Sequence, residues 1–239
     1  MRPILVRTSA AVLALLLAAC AVGCGSGSHP EPETVTYPEY ATDKPPLNAD
    51  MAAIAEEIDS LRVDEFTETL RKTAYVKVSI RGYGDFVIRL RSDIAPLTVE
   101  NFSSLVASGF YDGLTVHRVI KGFVIQMGDP KGDGSGGSEK TVMGEFSYNG
   151  VRNDLSHIPG VVTMARKGDQ YDSATSQFMV CNADASATLD GGHAAFGYVV
   201  AGMNVVLTVS ETEVTLGSGE ISRPVEPIVI EKICFVAKK

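Results

Sequence analysis

From Tyr75 onward the chain is a succession of short alternating apolar runs cut by glycine-containing turns, and this constrains its fold more than any other feature. Val76, Val78 and Ile80 alternate with polar residues. Arg81-Gly82-Tyr83-Gly84-Asp85 then makes a turn, and Phe86, Ile88 and Leu90 alternate again. A period of two puts every second side chain on one face, so each run is a strand with one face to bury. Further β-runs lie at 116–119, 123–127, 161–164, 178–181, 195–200 and 228–236. Many short strands with glycine-rich turns define a barrel or a sandwich. One helix is expected over 96–108: Pro96 stands in its first turn, Val99, Phe102, Leu105 and Val106 line one face, and Gly109 ends it. Residues 203–207 read either as a short helix or as a strand, and no internal repeat is visible.

The chain ahead of Tyr75 divides into three further parts. Arg2 and Arg7 precede an apolar stretch at 10–19 that is too short to span a bilayer. It closes with Leu17-Ala18-Ala19-Cys20, which resembles the bacterial lipobox, whose cysteine thiol takes a diacylglyceryl group before cleavage. Leu17, three places ahead, favours Cys20 over Cys24, which follows Ala21-Val22-Gly23. Two or more acyl chains anchor a protein stably, where one does not. Residues 1–19 are therefore expected to be a lipoprotein signal peptide. Residues 20–47 are expected to be the lipidated Cys20 with a flexible tether rich in Gly, Ser, Pro and Glu, too poor in apolar surface to fold. Residues 48–72 read as a helical segment that packs on the domain. Asn48 or Asp50 caps it, and Met51, Ile54, Ile58 and Leu61 form one stripe. Val63, Phe66 and Leu70 form a second, rotated stripe, so a kink or two short helices are expected near Arg62. Residues 73–239 are the globular domain. These readings place the protein outside the cytoplasm, lipid-anchored to a bacterial cell membrane.

A net charge of −8 supplies no electrostatic footprint for nucleic acid. The four cysteines, Cys20, Cys24, Cys181 and Cys234, form neither a CxxC pair nor a zinc-like cluster with histidine. Cys181 lies in an apolar run and reads as a buried thiol, with a Cys181–Cys234 disulfide left open. Gly132, Gly134 and Gly137 spell GxGxxG, but no βαβ unit surrounds them. The run 129–134 grazes a calcium loop, with Lys131 at a ligand position. Ser176, Asp190 and His193 lack the elbow motif of a hydrolase triad.

The chemically dense stretch is HRVIKGFVIQMGD, residues 117–129. Arg118 and Gln126 share strand parity with Val124, so one wall can carry a guanidinium, an amide and an apolar patch. Phe123 has the opposite parity and joins that wall only if the chain is irregular near Gly122.

That stretch, with GSGG at 134–137, MARKG at 164–168, SQFMVC at 176–181 and LDGGHAAFG at 189–197, resembles the cyclophilin-type peptidyl-prolyl cis-trans isomerases from about Thr73 to the C-terminus. The resemblance implies a mainly β fold, a closed eight-stranded antiparallel barrel with two capping helices. It implies isomerisation of X–Pro bonds in proline-containing polypeptides, assisting folding of proteins at the cell envelope; the alternative is a peptide-binding holdase with weak activity. No nucleophile, metal or cofactor is required, and a monomer is expected. Carried over by residue, the resemblance makes Arg118 the donor to the prolyl nitrogen. Phe123, Val124, Leu189 and His193 become the proline pocket, and Gln126 positions the substrate or Arg118. Backbone groups of Ala165 and Arg166 pair with the substrate, and Gln177 and Met179 complete the floor. His117 and His157 receive no role. The sequence departs from the family at Val124, where Met is common, at Met179, where Phe is common, at Thr188, where Trp is common, and at Arg166, where Asn is common.

Overall fold

The computed structural model describes residues 47–239; the expected signal peptide, lipobox and tether lie outside the described residues, apart from Leu47. Helix α1 (Leu47–Glu57) comes first. Strand β1 (Phe66–Glu68) precedes β2 (Tyr75–Ile80) and β3 (Gly84–Leu90), and these last two form the expected hairpin. They pair from Tyr75↔Arg89 to Ile80↔Gly84 and turn at Gly82, whose φ of +79° favours glycine. Val76, Val78, Ile80, Phe86, Ile88 and Leu90 all enter one buried core, as the alternation requires.

Helix α2 (Pro96–Ala107) leads to β4 (Thr115–Ile120), β5 (Val124–Asp129), β6 (Val161–Met164) and β7 (Phe178–Cys181). A one-turn helix α3 (Ser186–Leu189), β8 (Ala195–Ala201) and α4 (Met203–Ser210) follow. A hairpin of β9 (Val214–Leu216) and β10 (Ile221–Pro224) precedes the long β11 (Ile228–Lys238). The strand order is β11-β2-β3-β8-β6-β7-β5-β4, antiparallel throughout. The start of β11 returns to β4 through Ile228↔Val116 and Val229↔Thr115. Eight strands thus close into a barrel. The two long helices after β3 and β8 bury Val99, Phe102, Val106, Met203, Val205, Val206 and Val209 in the barrel core. Residues 203–207 are therefore helix. Phe102 anchors this packing, with Tyr111, Phe178 and Phe196 at centroid distances of 5.4, 5.2 and 5.1 Å.

Two expectations need correction. The 48–72 segment is helical only at its start: α1 ends at Glu57, a single 3-10 turn follows at Val63–Glu65, and Phe66–Glu68 is strand β1. Phe66 is buried because it pairs with Lys238 at the end of β11, whereas Leu70 is fully exposed, so the second helical stripe has no core to face. The barrel sheet thus takes its first strand from ahead of Thr73. The segment does pack on the barrel. Ile54 joins the cluster of Val87, Tyr198 and Val200, and the Asp59 and Leu61 N–H groups donate to the Val199 and Val200 carbonyls. Glu57 accepts Arg89 Nη1 at 2.5 and 2.6 Å and Tyr198 Oη at 2.7 Å. The second correction is the β9–β10 hairpin, absent from the sequence reading. Leu216 and Ile221 face each other in its ladder but are 69% and 70% exposed, so no core-facing alternation marks it.

Candidate active site

The barrel interior takes Ile125, Met127, Val162, Met164, Phe178 and Val180. Alternate residues of the same strands therefore project outward. Ladder register aligns four of them across β4, β5, β7 and β6: Arg118↔Gln126, Gln126↔Met179 and Met179↔Thr163. Arg118 and Gln126 thus share a wall because they are cross-strand neighbours in a hairpin, which explains their common parity. Gly122, at φ +75°, makes the turn, and Phe123 leaves strand geometry there. This is the irregularity its position required, and it places Phe123 beside Val124, Met179, Cys181, Ala185, Leu189 and Ala165 in a separate apolar cluster.

A chain of hydrogen bonds runs along the polar side of that cluster. Arg118 Nη1 donates to Gln126 Oε1 at 3.1 Å, and Gln126 Nε2 donates to Gln177 Oε1 at 2.7 Å. Gln177 Nε2 in turn donates to the carbonyls of Gly134 and Gly136 at 3.0 and 2.7 Å. The other edge of the Arg118 guanidinium, Nε and Nη2, is held by the Glu220 carboxylate. Of five guanidinium N–H groups, three are donated and two remain. Gln177, expected in the pocket floor, belongs to this polar chain. Val124 has no exposed surface and supports the cluster from beneath, so it does not line an open wall. Ala165 N–H is taken by the Gln177 carbonyl at 2.9 Å, which leaves pairing at this rim to the Ala165 carbonyl and the Arg166 peptide.

His193 stands at the rim among Leu189, Arg166 and His157, and burial, then the charges of Arg166 and His157, push its pKa down to about 4. It is neutral at pH 7 and cannot act as an acid there, which suits a pocket wall. The Cys181 thiol beneath is pushed up to about 12 by burial, and Cys181 and Cys234 are free. Arg166 lies over the rings of Phe146 and Tyr171, at 5.3 and 5.2 Å. It also donates to the carbonyls of Gly192, Lys167 and Gly168 at 2.7, 3.0 and 2.6 Å. Its side chain thus staples loop 166–173 to the turn before His193, a role hidden in the sequence. A cleft of about 770 Å³ opens beside the site, lined in part by Gln126, Ala165, Arg166, Gln177 and Gly136.

The decoy motifs are used structurally. Asp129 accepts the backbone N–H groups of Lys131, Asp133 and Gly134, and a Cβ at Gly136 would strike its carboxylate. Ser176 Oγ donates to the Gly128 carbonyl, and Asp190 pairs with His157 at 2.7 Å, so no triad assembles with His193. His117 and His157 are both buried. Among the described residues, no group of three or more His, Cys, Asp and Glu stands together to hold a metal ion. Sequence reasoning missed Glu220, which is 102 positions from Arg118 and carries no local signal.

The class of a barrel with this outer-face arrangement of arginine, amides and apolar floor is given by comparison with known proteins. The profile of the family "Cyclophilin type peptidyl-prolyl cis-trans isomerase/CLD" matches residues 75–234. Peptidyl-prolyl cis-trans isomerase ppi1 of Schizosaccharomyces pombe is 38% identical over 150 residues, covering 62% of this chain and 91% of that protein. Peptidyl-prolyl cis-trans isomerase CYP18-1 of Arabidopsis thaliana is 36% identical over 155 residues, covering 64% and 91%. In a longer relative from Rhizopus delemar, the like-2 isomerase, the match spans 33% of that protein. A crystal structure of a cyclophilin-type isomerase from Cryptosporidium parvum superposes with a TM-score of 0.62 at 27% identity, covering 70% of this chain and 98% of that one. The chain belongs to the cyclophilin-type peptidyl-prolyl cis-trans isomerase family and is an isomerase. These relatives are eukaryotic, and their matches do not support the bacterial lipoprotein form expected from residues 1–20.

Proposed function

We propose that the outer face of β4, β5 and β7 is the catalytic surface and that Arg118 is the donor acting on the prolyl nitrogen. The barrier to X–Pro rotation is amide resonance, about 18–20 kcal/mol. In the twisted transition state conjugation is lost and the prolyl nitrogen gains a lone pair that can accept a hydrogen bond. A donor aimed at that nitrogen stabilises the twisted state more than either planar one. Arginine suits the task because it stays charged and presents a rigid fork. The proline ring rests on Phe123, with Val124, Met179 and Leu189 beneath and His193 at the rim. Gln126 positions Arg118, and the Arg166 peptide pairs with the incoming chain. The observation that carries this reading is the pair of undonated Arg118 N–H groups in register with the apolar floor. A related Cryptosporidium parvum structure was obtained in the presence of the dipeptide Ala-Pro, which supports a proline peptide as substrate.

The test is exchange NMR or a protease-coupled assay on an Ala-Pro peptide. Arg118→Ala is expected to lower kcat/KM by about 10²-fold, equivalent to about 2.7 kcal/mol, while peptide binding changes little. Near-wild-type turnover would refute the assignment, and binding without turnover in the wild type would identify a holdase.

The proposal extends to location. The basic start, the short apolar stretch and Leu17-Ala18-Ala19-Cys20 support a protein held outside the cytoplasm by a lipid on Cys20, acting on proteins that fold at a bacterial cell envelope.

A further inference from the structure

The β9–β10 hairpin brings a carboxylate to the arginine. Its turn is closed by Gly217 N–H donating to the Glu220 carbonyl at 2.7 Å, with Gly219 at φ +94°. Ser218 Oγ donates to the Asp133 carbonyl at 2.8 Å, tying the hairpin tip to the glycine-rich loop that also receives Gln177. Ser222, buried beside the site, adds a hydrogen bond to the Glu220 side chain. From this support Glu220 takes Nε–H and one Nη2–H of Arg118, while Gln126 takes one Nη1–H. The guanidinium is therefore gripped at two places and its plane is set. The two N–H groups left over, one on each Nη, are free for a substrate.

We propose that Glu220 is a positioning residue for the isomerase reaction: the hairpin carboxylate holds Arg118 in the plane from which its free Nη donors meet the prolyl nitrogen. This rests on the reading of Arg118 as the donor. A long side chain immobilised before substrate arrives does not have to lose that freedom in the transition state, where misplacement is costly. The carboxylate also draws on the guanidinium's charge. However, the side chains of Arg118 and Glu220 are 26% and 40% exposed, so water screens that opposing effect while the geometry persists. Hydrogen bonding from Arg118 holds the Glu220 carboxyl below its usual range, so the grip is ionised at neutral pH.

The experiment compares wild type, Glu220→Gln, Arg118→Ala and the double variant by exchange NMR on an Ala-Pro peptide. It also follows the arginine Nε–H resonances, with Arg118 identified by the signal lost in Arg118→Ala. Glu220→Gln is expected to lower kcat about tenfold with KM nearly unchanged and no change in melting temperature. The Arg118 Nε–H signal, protected from water exchange in the wild type, should lose that protection. In the Arg118→Ala background, Glu220→Gln should have no further effect. Unchanged or raised kcat in Glu220→Gln would overturn the positioning role, as would an equal loss in both backgrounds. Full turnover by Arg118→Ala is a separate outcome that removes Arg118 itself and the inference with it.

Discussion

His193 meets His157 edge-on, ring centroids 6.4 Å apart at 84°, and of the two His157 has a carboxylate partner, Asp190 at 2.7 Å. Nδ1 of His193 is buried without a partner. This explains why the rim histidine is kept neutral: a positive charge on it would be desolvated and would face the Arg166 guanidinium.

A stability profile follows from that pair. Unfolded His193 titrates near 6.5, and the folded residue near 4. Below pH 6.5 the unfolded chain takes up a proton that the fold refuses. The stability contributed by neutral His193 is therefore full above 6.5, declines as pH falls toward 4, and then levels. Each pH unit is worth about 1.4 kcal/mol, reduced here by partial exposure of the ring, so the expected loss is on the order of 2 kcal/mol. Urea unfolding of wild type and His193→Phe across this range should show the steeper decline in the wild type. Parallel curves would mean that the folded state protonates His193 freely.

Glu145 governs stability away from the site. It is fully buried and caps α2, accepting Leu97 N–H at 3.1 Å, Thr98 N–H at 2.8 Å and Thr98 Oγ1 at 2.6 Å. Glu145→Ala leaves those donors without an acceptor and should destabilise the fold by about 2–4 kcal/mol. Thermal and urea denaturation measure this, and kcat per folded molecule should be unchanged. A loss below about 0.5 kcal/mol would show that water replaces the carboxylate.

Thr188 bears on inhibition. It is exposed on α3 next to buried Leu189, where family members often carry a Trp that is expected to contact cyclosporin. A large aromatic ring buries about 150–250 Å². At roughly 25 cal/mol per Å², part of that area amounts to a few kcal/mol, and about 1.4 kcal/mol is tenfold in Kd. The wild type should therefore be active yet poorly inhibited by cyclosporin, and Thr188→Trp should tighten the drug more than it raises kcat/KM. Titration of both proteins in one isomerase assay decides it. Nanomolar inhibition of the wild type, or an unchanged inhibition constant in the variant, contradicts the prediction.

Anchoring is tested at Cys20. Cys20→Ala should abolish incorporation of labelled fatty acid and leave the precursor unprocessed as a lipoprotein. Equal labelling of wild type and variant would move the modification to Cys24 or dismiss the lipobox.

Much of the fold was legible because its signals are local. Alternation at Val76-Val78-Ile80 and Phe86-Ile88-Leu90 depends only on which side of a strand each residue faces. Pro96 and Gly109 mark a helix by backbone geometry alone. The cluster of Phe123, Met179 and Leu189 was reached through family motifs, because periodicity cannot assign strands 50 residues apart to one surface. Other features depended on which distant strand came to lie alongside. Phe66–Glu68 became a strand because the end of β11 offered it a ladder, overriding a helical spacing. Gln177 joined the polar chain because register brought it near Gln126 and the Gly134 carbonyl. Glu220 reached Arg118 across 102 residues because β11 closes the barrel onto β4 and carries the preceding hairpin with it. Sequence alone determined the eight barrel strands, the helix at Pro96 and the side chains available for chemistry. Only tertiary structure decided which of them meet, since strand order and register arise from pairing between remote segments, and no local pattern encodes that partnership.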